Sequence, residues 1–302
     1  MSPVVVIISA CGFPGRYLCR HFSRQGREVV AIDRHPHGWS GDGMFLEWDG
    51  KSQGPWSLAL EGAEAVIDLT DHPDHHESRT ISQAIGSCKT APQLWLQVGN
   101  ADFYPSHTPT AQDEWTGKPG TGPRSDRDIA REAAFFSAPA PAATRKVLLR
   151  TGHIMAHDPG SLFHQLWKLA AQGIGGTAGE PAQRVSWIHA EDFLRAVEFI
   201  IQTPLLSGIL NCASPEHPTR RDFMRILRET AGMPLGIPVK NWGAGTPWIK
   251  PTRLHDAGFC WRWSQPAHAV ANLEQRPQLD GFFRKPTPRC VGARVWLPAT
   301  TR

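Results

Sequence analysis

The chain has 302 residues, 40% of them hydrophobic and 20% charged, with a formal net charge of +4 at pH 7. That is enough apolar material for one large α/β domain or a domain with a smaller lobe, and no run reaches the ~18 apolar residues of a membrane span. Six scattered cysteines without a CxxC pair argue against a disulfide framework or metal ribbon, and so for reduced thiols in a soluble, cytoplasmic protein.

Met1-Ser2-Pro3 carries no basic residue, so the aliphatic run Val4 to Ile8 reads as a buried strand rather than a signal peptide. Ser9 to Gly15 is a turn of mostly small residues that holds Gly12 and Gly15. Arg16 to Gln25 is predicted helical with Gly26 at its C-terminus, and Val29 to Ile32 is a second strand ending on Asp33 and Arg34. A glycine turn between strand and helix brings backbone N–H groups to a pyrophosphate, and an acid ~20 residues on accepts from a ribose hydroxyl. These residues predict a dinucleotide-binding β-α-β unit. In the GxxGxxG form of the turn, Ser9 stands in the first glycine's place, where a left-handed backbone costs serine more than glycine.

Ala63 to Leu69 and Leu94 to Val98 are predicted strands, separated by a helix over Glu77 to Cys88. His72, His75 and His76 read as a polar loop in preference to a metal cluster. Residues 105–125 read as a long surface loop, Asp126 to Phe136 as a helix and Lys146 to Arg150 as a strand. Further on, Phe193, Val197, Ile200 and Ile201 share one helix face, and Thr219 caps a second helix that Gly232 ends. Pro247 to Trp263 suggests a small packed cap, and Trp167, Trp187, Trp242 and Trp248 are read as core and interface material. From Arg276 onward six basic residues face one acid, a solvated tail or a docking element for a protein partner; nucleic acid is not expected as a ligand.

Strands alternating with helices call for a mainly parallel sheet covered on both faces, with ligands outside the carboxyl ends of the strands. Ser9–Gly15, Asp33–Arg34, Thr70–His72, Gly99–Tyr104 and Thr151–His153 should therefore converge on one crevice.

These segments resemble the extended and atypical short-chain dehydrogenase/reductases. The narrower likeness is to the epimerase-family subgroup with a small C-terminal domain of unknown function, labelled "cell division inhibitor-like". It rests on Cys11-Gly12-Phe13-Pro14-Gly15-Arg16, Ala65-Val66-Ile67-Asp68-Leu69-Thr70, Leu149-Arg150-Thr151-Gly152 and Ser186-Trp187-Ile188-His189 with Asp192. The resemblance implies a Rossmann-type doubly wound parallel sheet (1–204, some segments after 150 joining the lobe), a smaller C-terminal substrate lobe (205–275), and outside both the basic tail (276–302). It implies a cofactor site of Ser9, Gly12, Phe13, Pro14, Gly15, Asp33, Arg34, Leu69, Thr70, Asp71 and Gly99. Asp33 favours NAD, and Arg34 beside it would accommodate NADP.

The superfamily's Tyr and Lys four residues apart are missing: Tyr17 is followed at that spacing by His21, and Tyr104 by Thr108. The helix expected to carry the pair reads Ser125 to Glu132, and Gly99 or Asn100 replaces the hydroxyl residue after the preceding strand. The expected activity is an oxidoreductase or epimerase acting on a small carbonyl or hydroxyl compound with a substituted acid/base. Tyr104, Asp71 and His153 are the candidates, followed by Asp102 and His189. The alternative is a non-catalytic dinucleotide-sensing or partner-binding protein, and a homodimer is the default assembly.

Overall fold

The computed structural model describes residues 3–36, 39, 43–71, 76–177, 182–233, 235–239 and 246–275. His72, His75, Trp242 and the basic segment from Arg276 lie outside them. The elements in order are Val4–Ile8 (β1), Phe13–Arg24 (α1), Glu28–Asp33 (β2), Met44–Glu47 (β3), Ala65–Asp68 (β4), His76–Gly86 (α2) and Leu94–Asn100 (β5). Pro123–Ser137 (α3), Arg145–Thr151 (β6), His153–Met155 (β7), Leu162–Ala171 (α4), Ile174–Thr177 (β8) and Trp187–His189 (β9) follow. The last are Ala190–Gln202 (α5), Gly208–Cys212 (β10), Arg220–Thr230 (α6), Ile237–Val239 (β11), Thr252–Asp256 (α7) and Pro266–Gln275 (α8).

Successive residues of a strand face opposite ways, and β1 uses this to join two cores. Val5 and Ile7 pack with Leu18, Phe22, Phe193 and Val197 on one face of the sheet. Val6 and Ile8 pack with Trp56, Ile81, Trp95 and Phe135 on the other. A strand buried on both faces needs apolar residues at every position, hence the unbroken aliphatic run. The seven strands run in the order β10-β6-β5-β4-β1-β2-β3, and each neighbouring pair is parallel. The chain moves outward from β1 in both directions, so the fold is a Rossmann-type doubly wound sheet and its switch point lies beside β1.

The smaller lobe is built from interleaved segments. Phe163 and Leu166 of α4, Phe223 and Leu227 of α6, and Val270 and Leu273 of α8 form its core with Trp187. Two short parallel pairs, β7 with β9 and β8 with β11, accompany it. The sequence places residues 205–275 wholly in this lobe, but β10 is an edge strand of the main sheet, paired with β6. Its Leu210 and Cys212 belong to the sheet's core, which fixes it there. The expected helix caps form: the Thr219 hydroxyl accepts from the Asp222 N–H at 3.1 Å, and Gly232 is left-handed at φ +72°.

Candidate functional site

The turn after β1 is tied to β2 by one carboxylate. Asp33 accepts from the Cys11 N–H at 2.8 Å through Oδ2 and from the Arg34 N–H at 2.7 Å through Oδ1. Ser9 takes a φ of +59°, so a serine occupies the left-handed position that glycine fills at low cost. Gly15 is required by packing: a Cβ there would meet the Ala10 carbonyl oxygen at 2.5 Å, where α1 lies close against the turn after β1. Gly12 is different. Its φ of −65° suits any residue, and a Cβ would meet nothing nearer than the Ser9 carbonyl oxygen at 3.6 Å.

The carboxyl ends of the central strands open on a crevice of about 610 Å³. Ser9, Gly12, Phe13, Pro14, Asp33, Leu69, Asp71 and Gly99 line one half of it. Asp102, Thr151, Gly152 and His153 line the other, closed by Gly160 to Leu162 from the lobe. The five predicted segments thus converge. A smaller cavity of about 210 Å³ shares Ser9, Asp33 and Asp71 with the crevice and adds Arg34, Thr70 and Glu77. Gly15 lies beneath the crevice wall and does not line it.

The candidate proton carriers fare differently. His153 faces the crevice, makes no side-chain hydrogen bond among the described residues, and is pushed down to about 4 by burial, so its imidazole is neutral at neutral pH. Asp71 also faces the crevice, with Oδ1 held by Arg131 at 2.8 Å. Asp102 is clamped by Arg124, whose Nε and Nη2 lie 2.9 and 2.7 Å from its two oxygens. Tyr104 corrects the expectation. It is 1% exposed, absent from the crevice wall, and its hydroxyl lies 3.1 Å from both Asn211 Oδ1 and the Asp113 carbonyl oxygen. Burial pushes its pKa up, and the Arg150 guanidinium packs on its ring at 4.6 Å. His189 caps α5 through Nδ1, which accepts from the Glu191 N–H at 3.1 Å, and it too lies off the crevice.

Sequence reasoning missed Arg124 and Arg131, both crevice-lining residues of α3. Arg131 reaches Asp71 across β5 because residue 99 has no side chain: a Cβ there would meet Arg131 Nη2 at 2.5 Å. The guanidinium is 4% exposed and also lies 3.0 Å from Asp128, a carboxyl pushed up to about 6 by burial. The available signal was a glycine at the carboxyl end of β5, opposite an arginine on the facing helix. Among the described residues no cluster of His, Cys, Asp and Glu could hold a metal ion.

Epimerase family protein SDR39U1 of Bos taurus is 27% identical to this chain over 262 residues, covering 78% of this chain and 83% of the relative. The chain is similar to epimerase family proteins over about three quarters of its length. The crystal structure of human epimerase family protein SDR39U1 (isoform 2) with NADPH matches at a TM-score of 0.77 and 19% identity, covering 91% of this chain and 100% of that one. A nucleoside-diphosphate sugar epimerase from Corynebacterium glutamicum matches at 0.75 and 20%, covering 93% and 60%. Both likenesses agree with the sheet described above. No family model matches the chain. These homologues carry the epimerase name and not the narrower "cell division inhibitor-like" label.

Proposed function

We propose that the crevice binds NAD and that the protein is an oxidoreductase or epimerase acting on a small carbonyl or hydroxyl compound. Gly12 carries this reading. The protein leaves room for a side chain there and the φ requires no glycine, and at this N-cap the missing Cβ lets a ligand reach the backbone at the N-terminus of α1 from the open crevice. The residues present fit a dinucleotide. Asp33 stands beside the turn for the ribose, α1 opens on the crevice without an acid in its first turn, and the smaller cavity continues beyond Asp33. Three carboxylates (Asp33, Asp71 and Glu77) line that cavity against one cation, Arg34, whose Nη2 lies 3.4 Å from Glu77. A 2′-phosphate would meet repulsion there, which favours NAD over NADP although the human homologue was crystallised with NADPH.

Bound NAD would supply hydride donation or acceptance at its nicotinamide. His153 would hold the substrate's oxygen: a neutral imidazole has one ring nitrogen to donate to a carbonyl and one to accept from a hydroxyl. Arg131, fixed by Asp71 and Asp128, keeps a cation at the crevice where the superfamily's lysine is missing. A second reading, dinucleotide binding without turnover, draws on the sequestered Tyr104 and on Asp71 and Asp102 being tied to arginines. Hydride transfer over a panel of small carbonyl compounds separates the two.

Gly12→Ala tests the binding site itself. The variant should keep the wild-type thermal midpoint and lose at least tenfold in NADH affinity, read by tryptophan quenching. Unchanged affinity would overturn the assignment.

A further inference from the structure

Two buried serines set the lobe side of the crevice. The Ser161 hydroxyl caps α4 by accepting from the Phe163 N–H at 3.2 Å, and it donates to the Ile154 carbonyl of β7 at 2.8 Å. Ser186, the residue before β9, donates to the Pro247 carbonyl at 2.7 Å and accepts from the Ile249 N–H at 3.0 Å. Ile154, Leu162 and Pro247 thereby join His153 on the crevice wall. The charges of the crevice are already matched. Among the described residues, the ionic side chains that line it are Asp33, Asp71, Asp102, Arg124 and Arg131. Asp71 takes Arg131, and Asp102 takes the edge of Arg124 formed by Nε and Nη2. The acid left in excess is Asp33. A carboxylate or phosphate entering this site would leave water without meeting a cation of its own, whereas an apolar body gains from the same transfer.

We propose that the substrate is an uncharged carbonyl or hydroxyl compound with an apolar body, its oxygen at His153 and its body on Ile154, Leu162 and Pro247. The inference rests on the oxidoreductase reading above and gives it a substrate class. An aldehyde of this kind takes hydride from NADH at carbon and a solvent proton at oxygen, leaving the primary alcohol and NAD. The class excludes a sugar diphosphate, whose two phosphates need cations that are not already matched. Asp102 is thereby a specificity residue: it turns Arg124 from an anion site into a neutral wall.

The test follows NADH oxidation by the full chain with hexanal and 6-oxohexanoate, and with benzaldehyde and 4-carboxybenzaldehyde, pairs that differ by a terminal carboxylate. The neutral member of each pair should have a kcat/KM about tenfold higher or more. In Asp102→Asn, which leaves the Arg124 guanidinium without its carboxylate, the gap should narrow to about threefold or less. Equal turnover within the pairs, or a preference for the carboxylate, overturns the proposal, as does a tenfold gap that persists in the variant. Calorimetric titration of the protein with UDP-glucose in the presence of NADH should show no binding up to millimolar concentration, and micromolar binding overturns the proposal. Turnover of none of the four aldehydes contradicts the oxidoreductase reading itself, so the two failures are distinguishable.

Discussion

Ser9 holds its left-handed backbone at the mouth of both cavities, and a non-glycine residue there costs about 1–2 kcal/mol. Ser9→Gly relieves that cost and gives back roughly half of it through the larger entropy of the unfolded chain. The variant should be more stable by roughly 0.5–1 kcal/mol in urea unfolding, and an equal or lower stability would contradict the strain. Gly12 and Gly15, three residues apart, illustrate two uses of glycine: one lines the open crevice and the other lets α1 lie close against the turn after β1. The spacing of a motif does not distinguish these uses; the Cβ contacts do.

Much of the element order was legible because each piece carries a local signal. The strand at 4–8 is an apolar run buried on both faces, β5 opens on the buried apolar residues Leu94 to Leu96, and the helices at 190–202 and 220–230 have one-sided apolar patterns and side-chain caps. The helix Leu162–Ala171 was not read from the sequence, although Ser161 caps it and Phe163, Leu166 and Ala170 form its buried side. Of the site, the strand ends were legible from topology alone. The direction of Tyr104 was not: a single 3₁₀ turn over Ala101–Phe103 follows β5 and carries the phenol away from the crevice to Asn211. Arg131 was equally hidden, since its reach depends on Gly99 in a strand 32 positions earlier.

In the whole molecule the main sheet and the lobe meet at the crevice, and one of the contacts that join them is a part-buried ion pair. Arg16 of α1 donates to the Cys11 carbonyl at 2.5 Å and to Asp158 at 2.8 Å, and Asp158, 2% exposed, lies in the loop that leads to α4. Burial at this junction also sets a pH dependence. His153 is protonated near pH 4 when folded and near 6.5 when unfolded, so between those values the unfolded chain binds more protons and stability falls as pH falls. Above about pH 7 this group contributes no pH dependence. Urea unfolding at pH 7 and pH 5 should show His153→Gln losing about 2 kcal/mol less than the wild type over that interval. Identical losses would contradict a half-buried neutral imidazole. The most direct test of the central claim, that this crevice is an NAD site, is to titrate the wild-type protein with NADH and NADPH. Micromolar binding of NADH, with NADPH at least tenfold weaker, is the expected result; no binding of either up to millimolar concentration would contradict it.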